Sequence, residues 1–109
     1  MHELAITENI VDTIADRLDG VQVKVVRLEI GQLSGVVAES VRFCFDVVAQ
    51  GTALADATLY IVEPPGRVHC RSCGNDSELE DAIPLCPCGS ADVDLLSGYE
   101  LRIQSVEVV

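Results

Sequence analysis

Apolar side chains recur along residues 3 to 19 with the spacing of one helical face. Leu4, Val11, Ala15 and Leu18 share a stripe with Ile10 and Ile14, while Glu8, Asp12, Asp16 and Arg17 lie off it. Asp19-Gly20 closes the segment, because glycine suits the left-handed backbone that follows a helix. The run VQVKVVRLEI at 21 to 30 alternates instead, as a strand with one solvated face does. Its phase slips midway: Val21, Val23 and Val25 are in one register, and Val26, Leu28 and Ile30 are in the other. A bulge near Val25-Val26 would keep both sets inward. After Gly31 and a polar loop, Val37, Val41, Cys44, Phe45 and Val48 predict a second helix over 37–50, stopped by Gly51. Its β-branched valines lower its intrinsic propensity, so packing must hold it. Residues 57–63, ATLYIVE, predict a strand closed by Pro64-Pro65-Gly66. The closing GYELRIQSVEVV at 98–109 alternates again, with a second slip at Gln104-Ser105.

Residues 67 to 97 break this pattern. They hold four of the five cysteines, two prolines and two glycines, with few large apolar side chains. Such a stretch does not close a core by itself, so something else must order it. The fold class expected is α+β: two helices packed on one face of a three-stranded antiparallel sheet, with an inserted zinc-ribbon-like lobe. Residues 1–66 plus 98–109 form the first unit and 67–97 the second.

Composition narrows the class. A chain of 109 residues suffices for one small domain, and such a fold buries only about two-thirds of its unfolded surface, so a staple helps. Hydrophobic residues make up 49% and charged ones 23%, a globular balance. No stretch reaches the roughly 20 apolar residues of a membrane span. The opening MHELAITENI lacks a basic segment, so neither a signal nor a transit peptide is expected, and a cytoplasmic location is. Eighteen Asp and Glu against seven Lys and Arg give a net charge of −11, which repels phosphate backbones and disfavours nucleic acid as a partner. With the thiols reduced, five cysteines favour metal binding over disulfides.

The quartet reads C-x2-C-x12-C-x-C: Cys70, Cys73, Cys86 and Cys88. Two close pairs across a short loop bring four thiolates to the corners of a tetrahedron, a closed donor set that favours structural Zn²⁺. Gly74 and Gly89 follow the two pairs and let the backbone turn toward the sulfurs. The second pair is one residue tighter than is usual in a zinc ribbon, and His69 is the alternative donor. A redox reading of Cys70-x-x-Cys73 lacks the βαβ context it requires. Cys44, between Phe43 and Phe45, is expected to pack in the core.

The amino terminus offers a second chemistry. The amine of Met1, the backbone amide of His2 and the His2 imidazole can close fused chelate rings around one ion. Nitrogen donors in a plane suit Ni²⁺ or Cu²⁺ better than Zn²⁺. Glu3 adds a carboxylate one residue away. The opening Met1-His2-Glu3-Leu4, the run F-C-F-D-V-V at 43–48, the C-x-x-C-G and C-P-C-G-S pairs and the closing G-Y-E-L-R-I at 98–103 together resemble the HypA family of hydrogenase-maturation nickel metallochaperones. The resemblance covers essentially the whole chain. It implies Ni²⁺ as cargo at His2, with Glu3 and the Met1 amine assisting, and structural Zn²⁺ at Cys70, Cys73, Cys86 and Cys88. It also implies delivery to the [NiFe]-hydrogenase large subunit with a HypB-type GTPase as partner. Where some relatives place an acidic residue at the start of the second helix, this chain has Val37 and Ala38, with Glu39 next.

The function expected is therefore nickel delivery, with a zinc-ribbon protein adaptor as the alternative. Residues 70–97 carry six acids against one basic residue, Arg71, which argues against a nucleic-acid ribbon. No phosphate-binding G-x-x-x-x-G-K-[ST] loop, catalytic triad or carboxylate pair is legible, so no enzyme is expected. Oligomeric state is not set by the sequence, and a homodimer stays open.

Overall fold

The computed structural model describes residues 2–109. In chain order the elements are α1 (Glu3–Leu18), β1 (Val23–Ile30), α2 (Ala38–Val48), β2 (Thr58–Val62), β3 (Arg67–Cys70), β4 (Asp76–Glu78), β5 (Val93–Ser97) and β6 (Leu101–Val108). They build two three-stranded sheets, ordered β2-β1-β6 and β4-β3-β5. The molecule measures 52 × 25 × 18 Å, and its radius of gyration of 16.9 Å exceeds the roughly 13 Å of a compact chain this long. The sheets therefore lie end to end rather than face to face.

The α+β class and both helices stand, within two residues of their expected ends. Asp19 itself is left-handed at φ 45°, followed by Gly20 at φ 83°. The first sheet departs from an all-antiparallel one: β1 pairs antiparallel with β6 but parallel with β2. The reason is the connection. A strand, a helix and a second strand in succession return the chain to its starting end, so β1-α2-β2 must run parallel.

Both bulges exist. Between β1 and β6 the register breaks at Gln104, as expected, and at Lys24, just before the expected Val25-Val26. The Lys24 break turns Val23 to the side of Val26, Leu28 and Ile30, which join the helices in the core, whereas Val25 is left outside that cluster. Val11 and Ile14 of α1, Val41 and Phe45 of α2, Leu59 of β2 and Leu54 of the intervening loop complete the contact. Two stripe positions fall elsewhere. Leu4 is exposed and Glu3 and Thr7 are buried in its stead, the Thr7 hydroxyl donating to the Glu3 carbonyl at 2.6 Å. Val37 is also exposed, because it precedes α2 rather than facing inward.

The two sheets meet where no side chain fits. A Cβ on Gly31 would lie 2.1 Å from the Gly98 carbonyl oxygen, and one on Gly98, at φ 116°, would lie 2.5 Å from the Gly66 Cα. Backbone bonds run through this contact, Gly31 N–H to the Glu100 carbonyl and Leu33 N–H to the Gly98 carbonyl, both at 2.8 Å.

Candidate metal centre

The cysteines reach one point because two tight turns face each other across the second sheet. Cys70 ends β3, and Gly74, at φ 79°, closes the first turn with its N–H on the Cys70 carbonyl at 2.9 Å. Gly89, at φ 95°, closes the second on the Cys86 carbonyl at 2.8 Å. The hydroxyls of Ser72 and Ser90 join the two turns at 2.9 Å. Sγ of Cys70 lies 3.7 Å from that of Cys88, and Sγ of Cys73 lies 3.6 Å from that of Cys86. All four sulfurs fall within 4.8 Å of one another. A tetrahedron with Zn–S bonds of about 2.3 Å has edges of about 3.8 Å, so the quartet fits zinc. The single residue between Cys86 and Cys88 does not prevent this, since each of the two sulfurs pairs with a different member of the first turn.

The electrostatics of the quartet point the same way. The Cys73 N–H, aimed at Cys70 Sγ from 3.4 Å, leads the influences that lower the Cys70 thiol to about 6 against desolvation. At Cys86 the N–H of Cys88 pulls downward, but desolvation and the neighbouring thiols outweigh it and push the group up to about 12. Four sulfurs this close cannot all ionise unless a cation offsets their charge. Among the described residues, this is the group of three or more His, Cys, Asp or Glu side chains placed to hold a metal.

His69 is not drawn into it. Its Nδ1 meets Asp76 Oδ1 at 2.6 Å across the β3–β4 pair. Arg71 reaches Asp92 at 2.8 Å and also contacts Asp94, which ties the first turn to the approach into β5. Strands β3, β4 and β5 have no counterpart among the elements expected from periodicity. The cue was present in the alternation of Arg67-Val68-His69-Cys70, but it is only one turn of pattern long.

In the first of the two regions His2 is exposed just before α1, where its carbonyl accepts the Ile6 N–H at 2.9 Å and its side chain makes no capping bond. Met1 lies outside the described residues. Glu3 is buried, and its Oε2 accepts the N–H of Val37 at 3.1 Å. That bond sets a carboxylate at the head of α2, where the helix dipole favours negative charge. Sequence reasoning missed this role, since a bond between residues 34 positions apart leaves no local signal. Glu39, in the first turn of α2, shares a shallow groove with Glu3, Leu4, Ser40, Phe43 and Cys44. Cys44 is half-buried there rather than packed in the core as expected, because α2 turns Val41 and Phe45 inward and leaves position 44 at the margin.

Fold and site together define an α+β protein with a four-cysteine, zinc-fitting lobe. Comparison with known proteins specifies the kind. The sequence model of the family described as hydrogenase/urease nickel incorporation, metallochaperone, HypA matches residues 1–108. The chain is 48% identical over 109 residues to the hydrogenase maturation factor HypA of Rippkaea orientalis, covering 99% of this chain and 96% of that one. It is 42% identical to that of Geotalea daltonii, with complete coverage of both. A solution structure of the Ni metallochaperone HypA from Helicobacter pylori superposes with a TM-score of 0.66 at 22% identity, covering 100% of this chain and 98% of that one, a likeness of fold. The chain belongs to the HypA family of nickel-incorporation metallochaperones.

Proposed function

We propose that this chain takes up Ni²⁺ at its amino-terminal end and delivers it to the large subunit of a [NiFe]-hydrogenase, with a HypB-type GTPase as partner. His2 is the principal nickel donor, and Glu3 and the amine of Met1 assist. The observation that carries this reading is the placement of His2: an exposed imidazole that makes no capping bond, next to a carboxylate anchored to the head of α2. An exposed site with few protein donors suits an ion that must be released. Zn²⁺ is the resident ion of Cys70, Cys73, Cys86 and Cys88 and has a structural role, for which the closed thiolate set is suited. We divide the chain accordingly into a nickel-binding unit, 1–66 plus 98–109, and a zinc-binding unit, 67–97.

Partners are proteins rather than nucleic acid, since a charge of −11 repels phosphate, and the work takes place in the cytoplasm. No described helix is long and apolar enough to cross a membrane. The protein carries a metal and catalyses no reaction of its own. Calorimetric titration of untagged, zinc-loaded protein with Ni²⁺ tests the assignment. His2→Ala should abolish tight nickel binding while zinc content and fold are unchanged; retained affinity removes His2 from the site. Residues appended before Met1 should likewise weaken nickel binding, whereas a zinc-ribbon adaptor without nickel cargo would be unaffected.

A further inference from the structure

Strand β6 is hydrogen-bonded to β1 on one side, and no other described strand pairs with its outer edge. Beside it, between α1 and β6, runs an apolar groove in two stretches of about 290 and 330 Å³, lined by Ile6 and Ile10 of α1 and by Ile103 and Val106 of β6. Long unpaired edges invite further strands, and proteins leave them charged, short or bulged when none is wanted. This edge is eight residues long, and its charges form a pattern.

The pattern is a palindrome with inverted sign. Leu101-Arg102-Ile103, the bulge at Gln104-Ser105, then Val106-Glu107-Val108 gives the same order of apolar, charged and apolar positions from either end, with Arg102 answering Glu107. The bulge makes the palindrome usable. Leu101 and Ile103 pair with Ile30 and Leu28, and Val106 with Val26, so these three lie on the helix side. Val108 pairs with Val23, also on that side. Arg102 and Glu107 point to the opposite face, where Arg102 meets Glu29 at 3.1 Å and Glu107 meets Arg27. In a regular strand, positions 101 and 108 would lie on opposite faces. The one-residue slip brings them onto the same face and makes the two arms equivalent.

We propose that β6 pairs antiparallel with β6 of a second copy of this chain, about a two-fold axis through the Gln104-Ser105 bulge. In that register Leu101 opposes the partner subunit's Val108, Ile103 opposes its Val106, and Arg102 opposes its Glu107. Directly opposed residues share a face at every one of these pairs, as antiparallel pairing requires. Across the outer face the charges alternate in sign: Glu29, Arg102, the partner subunit's Glu107 and its Arg27. The two sheets become one of six strands, and the α1 helices of both copies flank the seam, which covers the groove. Leu101 and Val108, 43% and 47% exposed in the single chain, cover each other. An isologous contact of this kind closes on itself and stops at two copies. The surface excludes both metal sites, so the proposal stands apart from the nickel reading.

Sedimentation velocity of the zinc-loaded full chain, at about 0.15 M salt so that the net charge of −11 is screened, gives the test. The wild type should show a concentration-dependent dimer. Arg102→Glu sets Glu against the partner's Glu107 twice in each dimer, and Glu107→Arg sets Arg against Arg102 twice. Each variant alone should raise the dimer dissociation constant about tenfold or more. Mixing the two variants restores both opposite-charge contacts in a heterodimer and should recover association, which loss of folding in either variant could not do. A wild type that stays monomeric up to its solubility overturns the proposal. So does a dimer insensitive to both variants, which would use another surface, or a mixture that fails to associate.

Discussion

The two sheets of this protein have three strands each and differ in what lies against them. The β2-β1-β6 sheet carries two helices and a cluster of eleven buried apolar residues. Within residues 67–97, which hold the β4-β3-β5 sheet, the buried side chains are Val68, Cys70 and Cys86. Burial of apolar area at about 25 cal/mol per Å² can hold the first region, whereas two of the three buried groups in the second are thiols of the zinc-fitting quartet. The comparison teaches that one short chain can be ordered by two different forces at its two ends, one spread over many contacts and one concentrated at a single point. A spread force fails by degrees, and a concentrated one fails at once.

The sharpest way to break that comparison is to remove the metal. Chelation, or Cys70→Ala, should disorder residues 67–97 outright, since structural zinc contributes on the order of 10 kcal/mol to such lobes. Amide NMR signals of β3, β4 and β5 should collapse while those of α1, α2 and β1 persist. A loss of both sets together would show that the glycine contact at Gly31 and Gly98 makes the two regions one cooperative unit.

The converse experiment is Phe45→Ala, which empties a buried site between α2 and the first sheet. It should cost about 3 to 5 kcal/mol in urea unfolding of the helical signal, with zinc stoichiometry unchanged. Next in size, Glu3→Ala removes the carboxylate that accepts the Val37 N–H and should cost about 1 to 3 kcal/mol by the same assay.

Acidity separates the two regions more gently. Zinc requires thiolates, and within the quartet the Cys73 N–H pulls the Cys70 thiol down while desolvation and the neighbouring thiols push Cys86 up. Four thiols this close do not all ionise without a cation, so zinc uptake expels protons from the quartet. Affinity therefore rises with pH and falls on acidification. A pH-indicator dye should record proton release on zinc addition, while the helical signal stays level across the same range. The smallest effect belongs to Arg71→Ala: its ion pairs with Asp92 and Asp94 are exposed and screened, so zinc-competition measurements should show little or no loss.

Much of the architecture could be read before any coordinate was known. The helices, the strands flanking them and the bulge at Gln104 all announce themselves through local periodicity, and the cysteine quartet does so through its spacing. Periodicity failed where the pattern was too short, as in the four residues of β3 and the three of β4. It also misassigned Leu4 and Cys44, whose helical positions are right but whose faces point to the margin of the core.

By itself, then, the order of amino acids determined which segments coil or extend and which thiols belong together, because each of these depends on neighbours a few positions away. Only the folded chain decided that β2 runs parallel to β1, that a Glu3 oxygen accepts the Val37 N–H at the head of α2, that His69 faces Asp76 and that three glycines close the contact between the sheets. Those outcomes join residues distant along the chain, and the energy of such a contact exists only once the chain brings its partners together.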